Sequence, residues 1–85
     1  RVLVLDDEPD ARDILRRLLE DAGAEVIVTA SAQDALDVLA QSAPPDLIVS
    51  DVGMPHQDGY EFIRQVRRLD GPVAGVPAAA LTALA

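Results

Sequence analysis

Two aspartates, Asp6 and Asp7, stand side by side directly after the apolar run Val2-Leu-Val-Leu5, and a third, Asp51, directly follows Asp46-Leu-Ile-Val-Ser50. In an open parallel sheet, sites form beyond the carboxyl ends of the strands. If these two strands are neighbours, three carboxylates converge at one edge. Like charges at close range raise one another's pKa, so such a cluster calls for a compensating cation. Magnesium suits it, because it takes oxygen ligands in octahedral geometry, uses one or two carboxylates and keeps several waters. Acidic residues at strand ends also serve simply as loop and N-cap residues, and the three positions alone leave both readings open. The loop that follows adds a specific string, Asp51-x-x-Met54-Pro55-x-x-Asp58-Gly59.

The elements that must position these residues follow a regular order. Val2–Leu5 is a short continuous apolar run, as in a strand buried on both faces. From Ala11 to Ala22, apolar residues at Ala11, Ile14, Leu15, Leu18, Leu19 and Ala22 form a helical stripe, with Arg12, Asp13, Arg16, Arg17 and Glu20 outside it. Pro9 suits the start of this helix and Gly23 its end. Glu25-Val-Ile-Val-Thr29 is a second strand, rich in β-branched residues. Ser31 is the N-cap of a second helix, with Asp34 three residues on and a stripe at Ala35, Leu36, Leu39 and Ala40. Ala43-Pro44-Pro45 stops it before the third strand. Tyr60 to Leu69 carries Phe62, Ile63, Val66 and Leu69 at helical spacing, Asp70–Gly75 reads as a loop, and Val76–Leu81 is a fourth strand with Pro77 at its very start. The alternation β-α-β-α-β-α-β implies a parallel sheet with helices on both faces, joined by right-handed crossovers. The fold class is therefore α/β, a doubly wound parallel sheet, in one domain spanning residues 1–85.

Composition bounds the function. Fifteen acidic residues face seven basic ones, all arginine, for a net charge of −8 and a pI near 4.2. That balance argues against nucleic acid and anionic membrane as partners and favours a cation or a basic protein surface. The absence of cysteine excludes disulfides, thiolate metal sites and a cysteine nucleophile. A hydrophobic fraction of 49% does not fit disorder. No apolar run approaches the ~18 residues of a membrane span, and Arg1-Val-Leu-Val-Leu5, which runs straight into Asp6-Asp7-Glu8, does not read as a signal peptide. No Gly-x-Gly-x-x-Gly or P-loop follows the first strand.

Taken together, Asp6-Asp7 after strand one, Asp51 with its Met54-Pro55 and Asp58-Gly59 loop, and Ala80-Leu-Thr82-Ala83 at the end of strand four resemble the receiver domain of two-component response regulators, over the whole chain. The resemblance implies a flavodoxin-like sheet of strand order 2-1-3-4. It implies that Asp51 is the phosphoacceptor, attacking a phosphohistidine on a histidine kinase or phosphotransfer protein to give an aspartyl phosphate. By the same match, Asp7 and Asp51 bind Mg²⁺ directly, Asp6 binds it through water, and the Gly53 backbone carbonyl is a further ligand. Thr82 supplies the switch hydroxyl that bonds a phosphoryl oxygen, and Ala83 leaves the phosphoryl group accessible. A cytoplasmic, bacterial setting follows, with a fused output or kinase domain as a further partner. The Asp51-Val-Gly-Met-Pro loop with Ala80-Leu-Thr-Ala resembles receivers attached to hybrid sensor kinases.

Other residues near the site have plainer readings. Met54-Pro55 shapes the loop, Gly59 supplies a positive-φ or close-approach position before the third helix, and Glu8 caps the first helix or stays solvated. His56 is an exposed loop residue. Arg64, Arg67 and Arg68 form a solvated helix face. The family pattern continues to a lysine after a fifth strand. This chain has no lysine, and the expectation is a piece that lacks the C-terminal part, about 35 residues by average element lengths. Two other functions compete. One is a Mg²⁺-dependent phosphatase or phosphotransferase on a similar sheet, although those enzymes want an Asp-x-Asp pair after strand one. The other is a degenerate receiver used only for protein contacts.

Overall fold

Val2–Leu5 forms β1 and is buried along its whole length, as an apolar run with no polar alternation requires. In the computed structural model, which describes residues 1–51 and 59–81, it is followed by α1 (Pro9–Asp21), β2 (Val26–Thr29), α2 (Ala32–Gln41), β3 (Leu47–Asp51), α3 (Gly59–Arg67), a short 3-10 turn (Pro72–Gly75) and β4 (Ala78–Leu81). The four strands are parallel and ordered β2-β1-β3-β4. Fold class and strand order agree with the sequence reading.

The ends of the elements show why the chain folds this way locally. Pro9 opens α1, where its missing N–H costs nothing. Gly23 follows the helix at φ +94°, a left-handed conformation that glycine adopts without a side-chain clash. Ser31 caps α2, its Oγ accepting the Asp34 N–H at 3.1 Å. Strand four is two residues shorter than its apolar run. Pro77 has no N–H for the ladder and stays just outside, although its carbonyl accepts from Ile48 at 2.9 Å. Within the stretch read as a loop, Pro72–Gly75 winds into a 3-10 turn, entered at Gly71 with φ +84°.

Because β1 and β3 are central, their side chains pack on both faces of the sheet. On one face Leu3, Leu5 and Ile48 meet Ala35 and Leu39 of α2 and Phe62 and Val66 of α3, with Val73 and Val76 closing the end. On the other, Val2, Val4 and Val49 meet Leu15 and Leu19 of α1 together with Val26 and Val28. Each fully buried side chain of this size contributes about 1.5–3 kcal/mol.

Ile14 and Leu18 depart from the expected stripe, at 58% and 63% exposure. The helix turns Leu15 and Leu19 toward the sheet, which leaves the neighbouring row outside. Arg67 is exposed, as the solvated face assigned to it requires, but its guanidinium does more than meet water. It donates to the carbonyls of Ala74 (2.9 Å) and Val76 (2.7 Å), tying α3 to the approach to β4. Arg64 pairs with Glu61 at 2.7 Å along the exposed helix surface.

Candidate functional site

The acidic residues are placed by strand register. Leu5 of β1 pairs with Ser50 of β3, so the chain leaves both strands at the same level and Asp6 and Asp51 emerge side by side. Asp6 extends the ladder by one residue, its N–H donating to the Thr29 carbonyl at 3.1 Å. Thr29, itself buried, donates its hydroxyl to the Val4 carbonyl at 2.8 Å and firms that end of the sheet.

The chain then turns from strand to helix around Asp6. One carboxylate oxygen of Asp6 accepts the Glu8 N–H at 2.9 Å, a local side-chain turn of the kind aspartate favours. Glu8 occupies the N-cap position of α1 but makes no side-chain cap hydrogen bond. Its side chain is exposed, in keeping with the solvated alternative. Asp7 lies between them and is exposed.

Asp6, Asp7 and Asp51 each offer a carboxylate oxygen, and all three oxygens lie within 4.8 Å of one another. Oxygens sharing one magnesium at ~2.1 Å stand about 3 Å apart when adjacent and about 4.2 Å apart when opposite. The donor set is all oxygen and hard, and the spread suits direct ligation by some carboxylates with one reaching the ion through water. The cluster can hold a metal.

Asp6 is 5% exposed, and its carboxyl pKa stands above the ordinary aspartate value. Burial is the main cause; the Glu8 N–H opposes it, the charges of Asp51 and Asp7 add to it, and Arg12 opposes it. Ser50, directly before Asp51, is fully buried and donates its hydroxyl to the Asp51 carbonyl at 3.3 Å.

The structure brings together the three carboxylates singled out by sequence. Gly53, Met54, Pro55, His56, Asp58, Thr82 and Ala83 lie outside the described residues, while Gly59 opens α3. One residue was missed. Arg12, expected on the outer surface of α1, is half-buried and donates from Nη1 to the Asp6 carbonyl at 2.8 Å. Its only signal in the sequence is its place one turn into a helix that begins beside two aspartates. An open groove of about 210 Å³ lies alongside, lined by Pro9, Arg12, Asp13, Arg16 and Val28. No helix among the described residues is long and apolar enough to cross a membrane.

Known proteins resemble this chain in sequence and in fold. The family model described as "Response regulator receiver domain" matches residues 2–85. An uncharacterized 14.6 kDa protein from the sodA1 3' region of Leptolyngbya boryana is 51% identical over 84 residues, which is 99% of this chain and 63% of that protein. The sensor histidine kinase RcsC of Salmonella typhimurium is 40% identical over 82 residues, 94% of this chain and 8% of that kinase. Among solved structures, the chemotaxis response regulator CheY4 of Vibrio cholerae superposes with a TM-score of 0.80 at 38% identity, covering 93% of this chain and 64% of that one. The chain thus spans less than two thirds of each of these proteins.

Proposed function

This chain belongs to the family of response regulator receiver domains, and from that membership we propose that it is a phosphoacceptor switch with Asp51 as its nucleophile. The observation that carries the reading is the meeting of Asp6, Asp7 and Asp51 at the ends of two adjacent parallel strands.

In the proposed reaction, an Asp51 carboxylate oxygen attacks the phosphorus of a phosphohistidine on a histidine kinase or a phosphotransfer protein. The P–O bond forms as the P–N bond breaks, and the departing imidazole nitrogen keeps the electron pair. Magnesium, when bound, neutralises charge on the phosphoryl group. Asp7 and Asp51 would hold that ion directly, the Gly53 backbone carbonyl would be a further ligand, and Asp6, the most buried of the three carboxylates, would act through a water. Phosphoryl transfer depends mainly on positioning and charge stabilisation, and the rigid ends of β1 and β3 supply the positioning.

Thr82 would report the modification, its hydroxyl donating to a phosphoryl oxygen. The register supports this role, since Leu81 pairs with Asp51 and Thr82 is the next residue in the chain. The match to part of a sensor histidine kinase supports a kinase-linked partner. The setting is then the bacterial cytoplasm, with any output domain lying beyond this segment.

The test is phosphoryl uptake by the full-length protein from a small-molecule phosphodonor with Mg²⁺, read by intact-protein mass. The wild type should gain one phosphoryl group, and Asp51→Asn should gain none while keeping its circular dichroism spectrum. Uptake by D51N at the wild-type level would refute Asp51 as the acceptor.

A further inference from the structure

The β1–α1 turn carries two of the three site carboxylates, and a short set of hydrogen bonds holds it. The Asp6 N–H is bonded to Thr29 of β2 at 3.1 Å, and the Glu8 N–H to the Asp6 carboxylate at 2.9 Å. The Arg12 N–H closes the first turn of α1 on the Glu8 carbonyl at 3.0 Å. Backbone N–H groups donate all three bonds, and although the Glu8–Asp6 bond closes a ring through the peptide that joins Asp6 to Asp7, none of the three restrains the carbonyl oxygen of that peptide directly. That restraint comes from the Arg12 side chain, whose Nη1 donates to the Asp6 carbonyl at 2.8 Å across six residues.

A peptide unit is planar, so fixing its carbonyl oxygen fixes the whole plane and the direction in which the next residue leaves it. The residue that leaves this plane is Asp7. A hydrogen bond from a charged donor is also among the stronger kinds. We propose that Arg12 is a positioning residue for the acidic site, holding the Asp6–Asp7 peptide so that both carboxylates stay aimed at Asp51. This role rests on reading the cluster as a metal-dependent phosphoacceptor site. Arginine suits the task because its guanidinium is charged at any working pH and holds its donors in a fixed planar fork. From the first helical turn, the side chain runs along the wall of the open groove beside Asp13 and Arg16.

Arg12 touches no reacting atom, so its effect should appear in ligand geometry and metal affinity. Two readouts separate this from general stabilisation. The first is amide hydrogen exchange at Glu8 in the metal-free full-length protein. The second is Mn²⁺ affinity by electron paramagnetic resonance. Arg12→Ala should speed Glu8 exchange and weaken Mn²⁺ binding about tenfold, the scale on which outer-shell partners of metal ligands act. Arg12→Lys keeps a donor and should recover a substantial part of both. Arg12 lines an open groove, so its truncation leaves no closed cavity and R12A should fold with a near wild-type unfolding midpoint.

An R12A protein whose Glu8 exchange and Mn²⁺ affinity both stay within twofold of wild type would overturn the proposal. So would faster exchange spread evenly along α1 with no recovery in R12K, since that is the mark of a helix stabiliser. If the wild type itself binds no Mn²⁺, the metal-site reading fails, while Glu8 exchange still decides whether Arg12 holds the turn.

Discussion

On the face of the sheet covered by α2 and α3, strand residues Leu3, Leu5 and Ile48 close over Leu39, Phe62 and Val66, and Phe62 is 1% exposed. On the face covered by α1, Val2, Val4 and Val49 are buried, yet no residue of α1 is buried. Two of its large apolar side chains, Ile14 and Leu18, are more than half exposed. Both helical layers carry apolar stripes of similar length in the sequence. The difference lies in geometry: among the described residues, α2 and α3 share the first face and interlock, whereas α1 alone lies over β1 and β2 on the other. Among the described elements α1 packs on β1 and β2, and the row it covers there is the one that points straight at the sheet.

Three substitutions test how far this asymmetry extends into stability. Phe62→Ala should be the most damaging, costing about 3–5 kcal/mol in urea unfolding, because it empties a site enclosed by α2, α3 and the strands. A cost under about 1 kcal/mol would mean that the α2–α3 face is not the main core. Leu19→Ala, on the inner row of α1, should cost about 1–2 kcal/mol, less than a fully enclosed leucine because the side chain is only half-buried. A loss as large as that of F62A would erase the distinction between the faces. The double change Ile14→Ser and Leu18→Ser should stay within about 0.5 kcal/mol of wild type, the usual range for exposed positions. A larger loss would show that these two side chains pack against something in solution.

The acidic edge follows a different rule from either face. Burial is tolerated at Asp6 although it disfavours the charged carboxylate. Its carboxylate is held by a backbone N–H from Glu8, and its carbonyl by a guanidinium from Arg12. An apolar face gains stability from each side chain it buries. The edge gives some up, and what it obtains is a fixed arrangement of three like charges.

Much of this was legible before folding is considered. Element order follows from apolar runs broken by proline, glycine and acidic residues, and Ser31 with Asp34 marked the start of α2 correctly. The three carboxylates were found because strand ends are where such sheets place their sites. Element ends were less legible. Val76-Pro77 reads as part of a strand by hydropathy, but the ladder needs an N–H that proline lacks. Ile14 and Leu18 read as core by periodicity, which reports the angle around a helix and not how wide a surface waits beneath it. Arg12 read as solvated but is half-buried, and Arg67 is exposed as read yet still bonds two carbonyls; nothing in a charged residue's neighbours along the chain shows which distant carbonyl its side chain will reach.

The sequence by itself determined the alternation of strands and helices, and the placing of Asp6-Asp7 and Asp51 immediately after apolar strands, because these depend on periodicity and on local steric and hydrogen-bonding preferences. The resemblance implied the strand order that puts β1 between β2 and β3, but only the tertiary structure decided that Leu5 is level with Ser50 and that Arg12 closes on Asp6. Those outcomes join residues through space, and the burial of a shared face selects them. No run of neighbours along the chain encodes that selection.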